Sequence, residues 1–289
     1  MTISESNKDD YIGDQNIDAA AAGAQDSSLR FVLVETSRPG NIGAAARAMK
    51  TMGYSQLTLV RPRFNAPAQE EEAIAFASGA LDVLAAARVV GSIEEALAGC
   101  NIVAAVSARL REFSPPVMSP RAWASQLANS MDSNGDRRNN NCRAALVFGN
   151  ERFGLPNEIV EKCDVLINIP ANPVYSSLNL AQAVQILSYE CAQGGHFATD
   201  DRSTRTNNAI VNTNAMDRIN FSGQAADKRQ VEAMFTHLEQ ALIAIDFLDP
   251  ANPKRLMSRI RCLFARTGLE NEEVNIWRGI ARKILQIRR

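Results

Sequence analysis

Histidine is scarce in this chain, with His196 and His237 the only two in 289 residues. Neither belongs to an HExxH pair or to a cluster of ligating side chains, so no dedicated transition-metal site is expected. Two isolated histidines also give poor support for Ser-His-Asp chemistry. The five cysteines, Cys100, Cys142, Cys163, Cys191 and Cys262, contain no CxxC pair. An odd, dispersed set fits reduced thiols in a cytoplasmic protein better than a disulfide framework. No apolar run approaches the roughly 20 residues of a membrane helix, so no membrane partner is expected. The polar, acidic beginning of the chain shows no apolar segment of a secretory signal. A P-loop is missing too, and the nearest approach to a GxGxxG fingerprint, Gly40-Asn41-Ile42-Gly43, has the wrong spacing. An ordinary dinucleotide site is therefore disfavoured.

What is present is an ordinary globular composition, 46% hydrophobic and 22% charged, on a chain long enough for two domains. Its net charge of −1 conceals an asymmetry. Residues 1–29 hold Glu5, Asp9, Asp10, Asp14, Asp18 and Asp26 against Lys8. The reverse holds near the other end. There Lys254, Arg255, Arg259, Arg261, Arg266, Arg278, Arg282, Lys283, Arg288 and Arg289 stand against Glu270, Glu272 and Glu273, a net of +7. Charge alone leaves two readings of that end open, a polyanion-binding surface or a solvated helix face.

Residues 1–29 have no apolar periodicity and read as a disordered acidic tail. From Phe31 onward short apolar runs alternate with helical patterns. Strands are expected at Phe31–Glu35, Leu57–Val60, Arg88–Val90, Ile102–Val106, Ala144–Phe148 and Val165–Ile169. Helices are expected after Pro39, at Glu70–Leu84, Ser92–Leu97 and Pro120–Leu127, and from Leu178 to the stop at Gly194-Gly195. This alternation predicts an α/β domain over 30–195 with a mostly parallel sheet. The polar stretch 129–143 reads as a surface insertion and 196–228 as a linker. Over 229–289 the pattern is purely helical. Three apolar stripes are expected there: Val231, Met234, Phe235, Leu238, Leu242 and Ile245; Leu256, Ile260, Leu263 and Phe264; and Ile276, Trp277, Ile280 and Ile284.

The stretch Leu146–Val184 carries the clearest binding signal. Two strands run into loops at one sheet edge, where ligands of α/β proteins bind. Gly149 can admit a ligand to the backbone or serve only a tight turn. Ser176, Ser177 and Asn179 can cap the following helix, offer a site, or do both. Glu151 can cap or can orient a basic partner. Arg47, within the first helix, is by spacing a surface residue, although an arginine in a site can clamp a phosphate or stabilise an alkoxide. Arg109 and Arg111, behind Ser107-Ala108, are open to the same two readings.

Taken together, three ordered motifs resemble the SpoU branch of the SPOUT RNA 2′-O-methyltransferases. They are N-x-G-x-x-x-R from Asn41 to Arg47, F-G-x-E-x-x-G-L from Phe148 to Leu155, and Ile169-Pro170 followed by S-L-N-L-A from Ser177 to Ala181. The finer resemblance, in FVLVETSRPGNIGAAARAMKTMG, VSAR, FGNERFGL and ANPVYSSLNLAQAV, is to the tRNA (cytidine/uridine-2′-O)-methyltransferases, which also share the helical extension HLEQAL to NIWRGI. The resemblance implies a C-terminal trefoil knot in the α/β domain and a homodimer. It also implies S-adenosyl-L-methionine held by Val106, Ser107, Ala108, Gly149, Ile169, Ser176, Ser177 and Leu178. The implied substrate is tRNA, methylated at nucleotide 32 of the anticodon loop, with no metal and no DNA partner. Arg47 would stabilise the developing alkoxide, and Asn41, Glu151, Ser177 and Asn179 would hold Arg47 and the ribose. Two alternatives remain, a SpoU-type ribosomal RNA methyltransferase and a non-catalytic RNA-binding protein on the same fold.

Overall fold

The computed structural model describes residues 29–64, 66–111, 114–132, 143–195 and 224–287. Most of the expected insertion, nearly all of the expected linker and all of the expected acidic tail but Leu29, which opens the first strand, lie outside the described residues. Seven strands form one sheet: β1 (Leu29–Val34), β2 (Leu57–Val60), β3 (Arg88–Val90), β4 (Ile102–Val106), β5 (Val117–Met118), β6 (Ala144–Phe148) and β7 (Val165–Ile167). Every pairing is parallel, in the order β3-β2-β1-β6-β4-β7-β5. Chain direction across the sheet reverses after β3, so β1, β6 and β4 lie where ligands bind in such sheets.

Helices cover both faces: α1 (Pro39–Thr51), α2 (Glu71–Ala77), α3 (Leu81–Ala85), α4 (Ile93–Ala96), α5 (Pro120–Asp132), α6 (Asn157–Val160) and α7 (Leu180–Gly195). Alternation within the strands builds two cores. Phe31, Leu33, Leu146 and Phe148 join one cluster, while Val32, Val34, Ala145 and Val147 join the other. This double burial explains why the strands read as continuous apolar runs. On α1, Gly43 is required because a Cβ there would stand 2.0 Å from the Ala73 carbonyl oxygen of α2.

Several boundaries differ from the sequence reading. The helical run expected from Glu70 breaks at Ser78, whose φ is 51° and ψ −118°, into α2 and α3. Helix α5 continues to Asp132, so the expected insertion begins as its last turn. The strand expected to reach Ile169 stops at Ile167. β5 is two residues long, too short to leave a periodic signal.

Three further helices follow, α8 (Lys228–Ala244), α9 (Leu256–Ala265) and α10 (Asn271–Ile287). Asp227 starts α8 with a capping box, its carboxylate accepting from Arg229 N at 2.7 Å while Gln230 Oε1 accepts from Asp227 N at 2.9 Å. Residues before it already belong to the helical part, since Ala226 N donates to Leu269 O at 2.8 Å. The face expected on α10 is met in part, since Trp277 packs against the helical core. Val274 and Ala281 are buried, whereas Ile276 is 61% and Ile280 43% exposed. Two stripes a third of a turn apart both satisfy helical spacing, and α10 packs on α8 with the smaller one. Leu263 of α9 and Ile245, which follows the last residue of α8, both also expected inside, are exposed.

Candidate functional site

Loops leaving β4, β6 and β7 enclose a cavity of about 330 Å³ at the carboxyl edge of the sheet. Its lining includes Val106, Ser107, Ala108, Gly149, Ile169, Ser176, Ser177 and Leu178, which are the residues the resemblance implies for the cofactor. Phe148, Phe153, Leu180 and Ala183 extend its apolar wall. Two side chains outside the expected set hold these loops together. Asn168 Nδ2 donates to Ser107 O at 3.0 Å and Ala108 O at 3.2 Å. Arg111 Nη2 donates to Leu155 O at 2.6 Å and Arg111 Nε to Asn157 Oδ1 at 2.7 Å. The loop after β4 is thus pinned to the chain segments that follow β6 and β7.

Gly149 resolves one open alternative. A Cβ on it would lie 2.3 Å from Gly154 C and 2.4 Å from Leu155 N, so the loop's own backbone demands glycine. The hairpin-like loop closes through Gly154 N donating to Asn150 O at 2.8 Å, with Gly154 at φ 71°. Asn150 secures the loop to β1, donating from Nδ2 to Glu35 O at 2.6 Å. The tight turn and the cavity wall are the same feature.

In the cavity lining, Glu151 gathers donors from the stretch between β1 and the first turn of α1. Its Oε2 accepts from Ser37 N at 2.9 Å and Ser37 Oγ at 2.8 Å, and its Oε1 accepts from Asn41 Nδ2 at 2.7 Å. Burial works to raise this carboxyl, but the hydrogen bonds from Asn41 and Ser37 outweigh it and hold its pKa below the usual carboxylate value. Glu151 is therefore an ionised acceptor at neutral pH, suited to orienting groups rather than to shuttling a proton. Asn41 passes the order on, its Oδ1 accepting from Asn179 Nδ2 at 3.1 Å. Asn179 also caps α7 by accepting from Ala181 N at 2.9 Å. Cap and site residue coincide here.

Arg47 stands apart from this assembly. It is exposed on α1, does not line the cavity, and makes no hydrogen bond or ion pair among the described residues. Asn41 lies six residues earlier, and six residues of helix turn the two side chains to different sides of α1. Of the expected catalytic set, the structure joins Asn41, Glu151 and Asn179 by hydrogen bonds and places Ser177 on the cavity wall. It does not bring in Arg47. Neither Ser37 nor Asn168 is named by the sequence reading, and Arg111 is offered there as a clamp for phosphate or a surface residue rather than as a tie between loops. Ser37 lies in a turn-forming TSRPG stretch whose small polar residue after β1 was the available signal, whereas nothing local marks Asn168 or the inward turn of Arg111.

Comparison with known proteins places the fold in a family. The model of the SpoU rRNA Methylase family matches residues 28–189, and that of the tRNA methyltransferase TrmJ C-terminal domain matches residues 229–289. A tRNA (cytidine/uridine/adenosine-2′-O-)-methyltransferase TrmJ from Pseudomonas aeruginosa is 42% identical over 90% of this chain and 95% of its own. Among solved structures, TrmJ from Z. mobilis ZM4 superposes with a TM-score of 0.69 at 30% identity, over 89% of this chain and 98% of that one. A probable methyltransferase from Bordetella pertussis is 43% identical with a TM-score of 0.54, covering 58% of this chain and 96% of its own. With both models matched in chain order and a curated relative aligned along nearly its whole length, the chain belongs to the SpoU methylase family, in its TrmJ group.

Proposed function

We propose that this chain methylates the ribose 2′-hydroxyl of nucleotide 32 in the anticodon loop of tRNA, with S-adenosyl-L-methionine as donor. The observation that carries this reading is the cavity at the carboxyl ends of β4 and β6, lined by the motif residues. Its volume falls in the range of small-ligand sites, about 300–1,000 Å³. The donor set suits that cofactor: Val106, Ile169, Leu178 and Leu180 offer apolar walls to an adenine, and Ser107, Ser176 and Ser177 offer hydroxyls to its polar ends. When bound, the cofactor supplies a sulfonium methyl already activated for attack by the 2′-oxygen. Relatives named for tRNA 2′-O-methylation support the substrate class, and the motif resemblance supports nucleotide 32.

The chain's own contribution is positioning and electrostatics. Ionised Glu151 orients the Asn41 amide, and Asn41 and Asn179 present polar groups beside the cavity mouth. Arg47 is a poor proton acceptor and acts by stabilising the developing alkoxide. Because Arg47 lies outside its own cavity, the site is completed in a homodimer by Arg47 of the partner subunit. Large apolar side chains in water around the mouth support that pairing, with Phe153 70%, Val174 93% and Tyr175 79% exposed. In this reading the protein works in the cytoplasm, and the segment after β6 forms a trefoil knot. The knot is supported by the position of β6 between β1 and β4, from which the chain crosses to β7.

Mass spectrometry of tRNA and ribosomal RNA from a deletion strain tests the substrate. Loss of a 2′-O-methyl group at tRNA nucleotide 32 is expected. Loss confined to ribosomal RNA would replace the tRNA reading with the ribosomal one, and unchanged RNA together with no cofactor binding would favour a non-catalytic RNA-binding protein.

A further inference from the structure

A second cavity, of about 350 Å³, adjoins the first and shares Arg109 with it. It lies between the loop after β4 and the first turn of α9, and its polar lining is Arg109, Arg111, Asn157, Glu161, Arg255 and Ser258. Three arginines and one carboxylate thus line it. Arg111 is locked in place, with Nε on Asn157 Oδ1 at 2.7 Å, Nη2 on Leu155 O at 2.6 Å and Nη1 on Ser107 Oγ at 3.3 Å. All of these acceptors are neutral. They fix the guanidinium without cancelling its charge. Burial first, and then the nearby Arg109 charge, lower the Arg111 pKa. The Arg109 guanidinium has no hydrogen bond among the described residues, where only its backbone is engaged. Glu161, the carboxylate of the lining, accepts from Ser258 Oγ at 2.9 Å and so is directed toward α9.

We propose that this second cavity seats a backbone phosphate of the RNA substrate, close to the nucleotide whose ribose enters the first cavity. The assignment rests on the RNA methyltransferase reading given above and adds to it a contact that joins the α/β and helical parts. Arginine is the side chain best matched to phosphate oxygens, because its planar fork donates two parallel hydrogen bonds. Leu110 is the one apolar residue of the lining, which disfavours an apolar occupant. The position is also suitable. The loop Ser107–Arg111 borders both cavities, and consecutive groups of one RNA strand would fill them in turn. Arg261 of α9 is committed to Glu232 at 2.6 Å and is not part of the lining.

The test uses the full chain, an unmodified tRNA transcript and anticodon stem-loop RNAs carrying one neutral methylphosphonate at a time. Arg255→Ala is the variant, since Arg255 lines only the second cavity. It is expected to weaken tRNA binding about tenfold and to reduce the slope of log affinity against log salt by about one, with cofactor affinity by calorimetry unchanged. One methylphosphonate position is expected to weaken the wild type equally and to cost nothing further in Arg255→Ala. Wild-type affinity and salt slope in Arg255→Ala would overturn the assignment, as would a loss that adds to every methylphosphonate alike. The methylphosphonate series on the wild type stands independently of the variant's folding. There a loss of equal size at all positions, or at none, also overturns the assignment. If the wild type methylates tRNA while these outcomes fail, only the phosphate site falls; if it neither binds nor methylates tRNA, the parent reading falls with it.

Discussion

The α/β part and the helical part of this chain differ in what they are built from and in what they offer a ligand. The first has strands buried on both faces, and its cavity is lined mainly by apolar and small neutral residues, with Arg109, Arg152 and the well-satisfied Glu151 as its charged lining. The second has a thin core, in which Met234, Phe235 and Val274 are buried and Phe264 meets Phe235 and Trp277 edge-on at 5.8 and 5.2 Å. Its surface is basic. It is attached through the Lys228–Asp164 ion pair, largely buried at 10% and 19% side-chain exposure, and through Ser258 donating to Glu161. A largely apolar cavity is suited to select a small molecule by shape, while a basic helical surface is suited to a polyanion without needing a deep core. The lesson is a division of labour that separate measurements can separate.

The strongest way to break that division is Arg47→Ala. Turnover is expected to fall about 10²–10³-fold with cofactor affinity retained, read by a methyl-transfer assay beside calorimetry. Mixing this variant with Gly149→Val should restore part of the activity if Arg47 acts across a dimer, since one site of the heterodimer is then intact. Next in size, truncation after Gly195 removes the basic helices and should weaken tRNA binding by tenfold or more with a shallower salt dependence, cofactor binding persisting. Equal tRNA affinity and salt slope would show that the helical part is not an RNA module. Gly149→Val alone forces a side chain into the Gly154–Leu155 backbone and should weaken cofactor binding by about 1–3 kcal/mol in calorimetry, while leaving the helical part folded. The smallest expected effect is that of Glu151→Gln, which leaves donors of Ser37 and Asn41 without a charged acceptor and should destabilise by about 1–3 kcal/mol at neutral pH. Since the folded-state pKa of Glu151 is depressed, its contribution is present above the unfolded value near 4.3 and is lost as pH falls through the lower folded value. The gap in melting temperature between wild type and variant should therefore close in acid.

Much of the α/β part was legible because its strands are short apolar runs separated by helical patterns. β2, β3, β4 and β6 begin and end at the expected residues. The motif glycines and serines also pointed to the cavity, since they follow strand ends in a parallel sheet. Other features depend on tertiary geometry that no local pattern carries. The break at Ser78 follows from its left-handed φ rather than from a helix-stopping residue at that position. On α10 the sequence contains two plausible apolar stripes, and only packing on α8 selects Val274 and Ala281 over Ile276 and Ile280. The hydrogen bonds of Glu151 and Arg111 span 114 and 44 residues respectively and leave no trace in spacing. The displacement of Arg47 from the cavity is likewise invisible to a motif, which records order along the chain and not the side of a helix.

One measurement addresses the central claim most directly. The purified chain is incubated with S-adenosyl-L-methionine and an unmodified tRNA transcript, and the product is digested and mapped by mass spectrometry. The account predicts a single 2′-O-methyl group at nucleotide 32, absent when Arg47→Ala replaces the wild type. An unmodified transcript, or methylation that persists unchanged in Arg47→Ala, would contradict it.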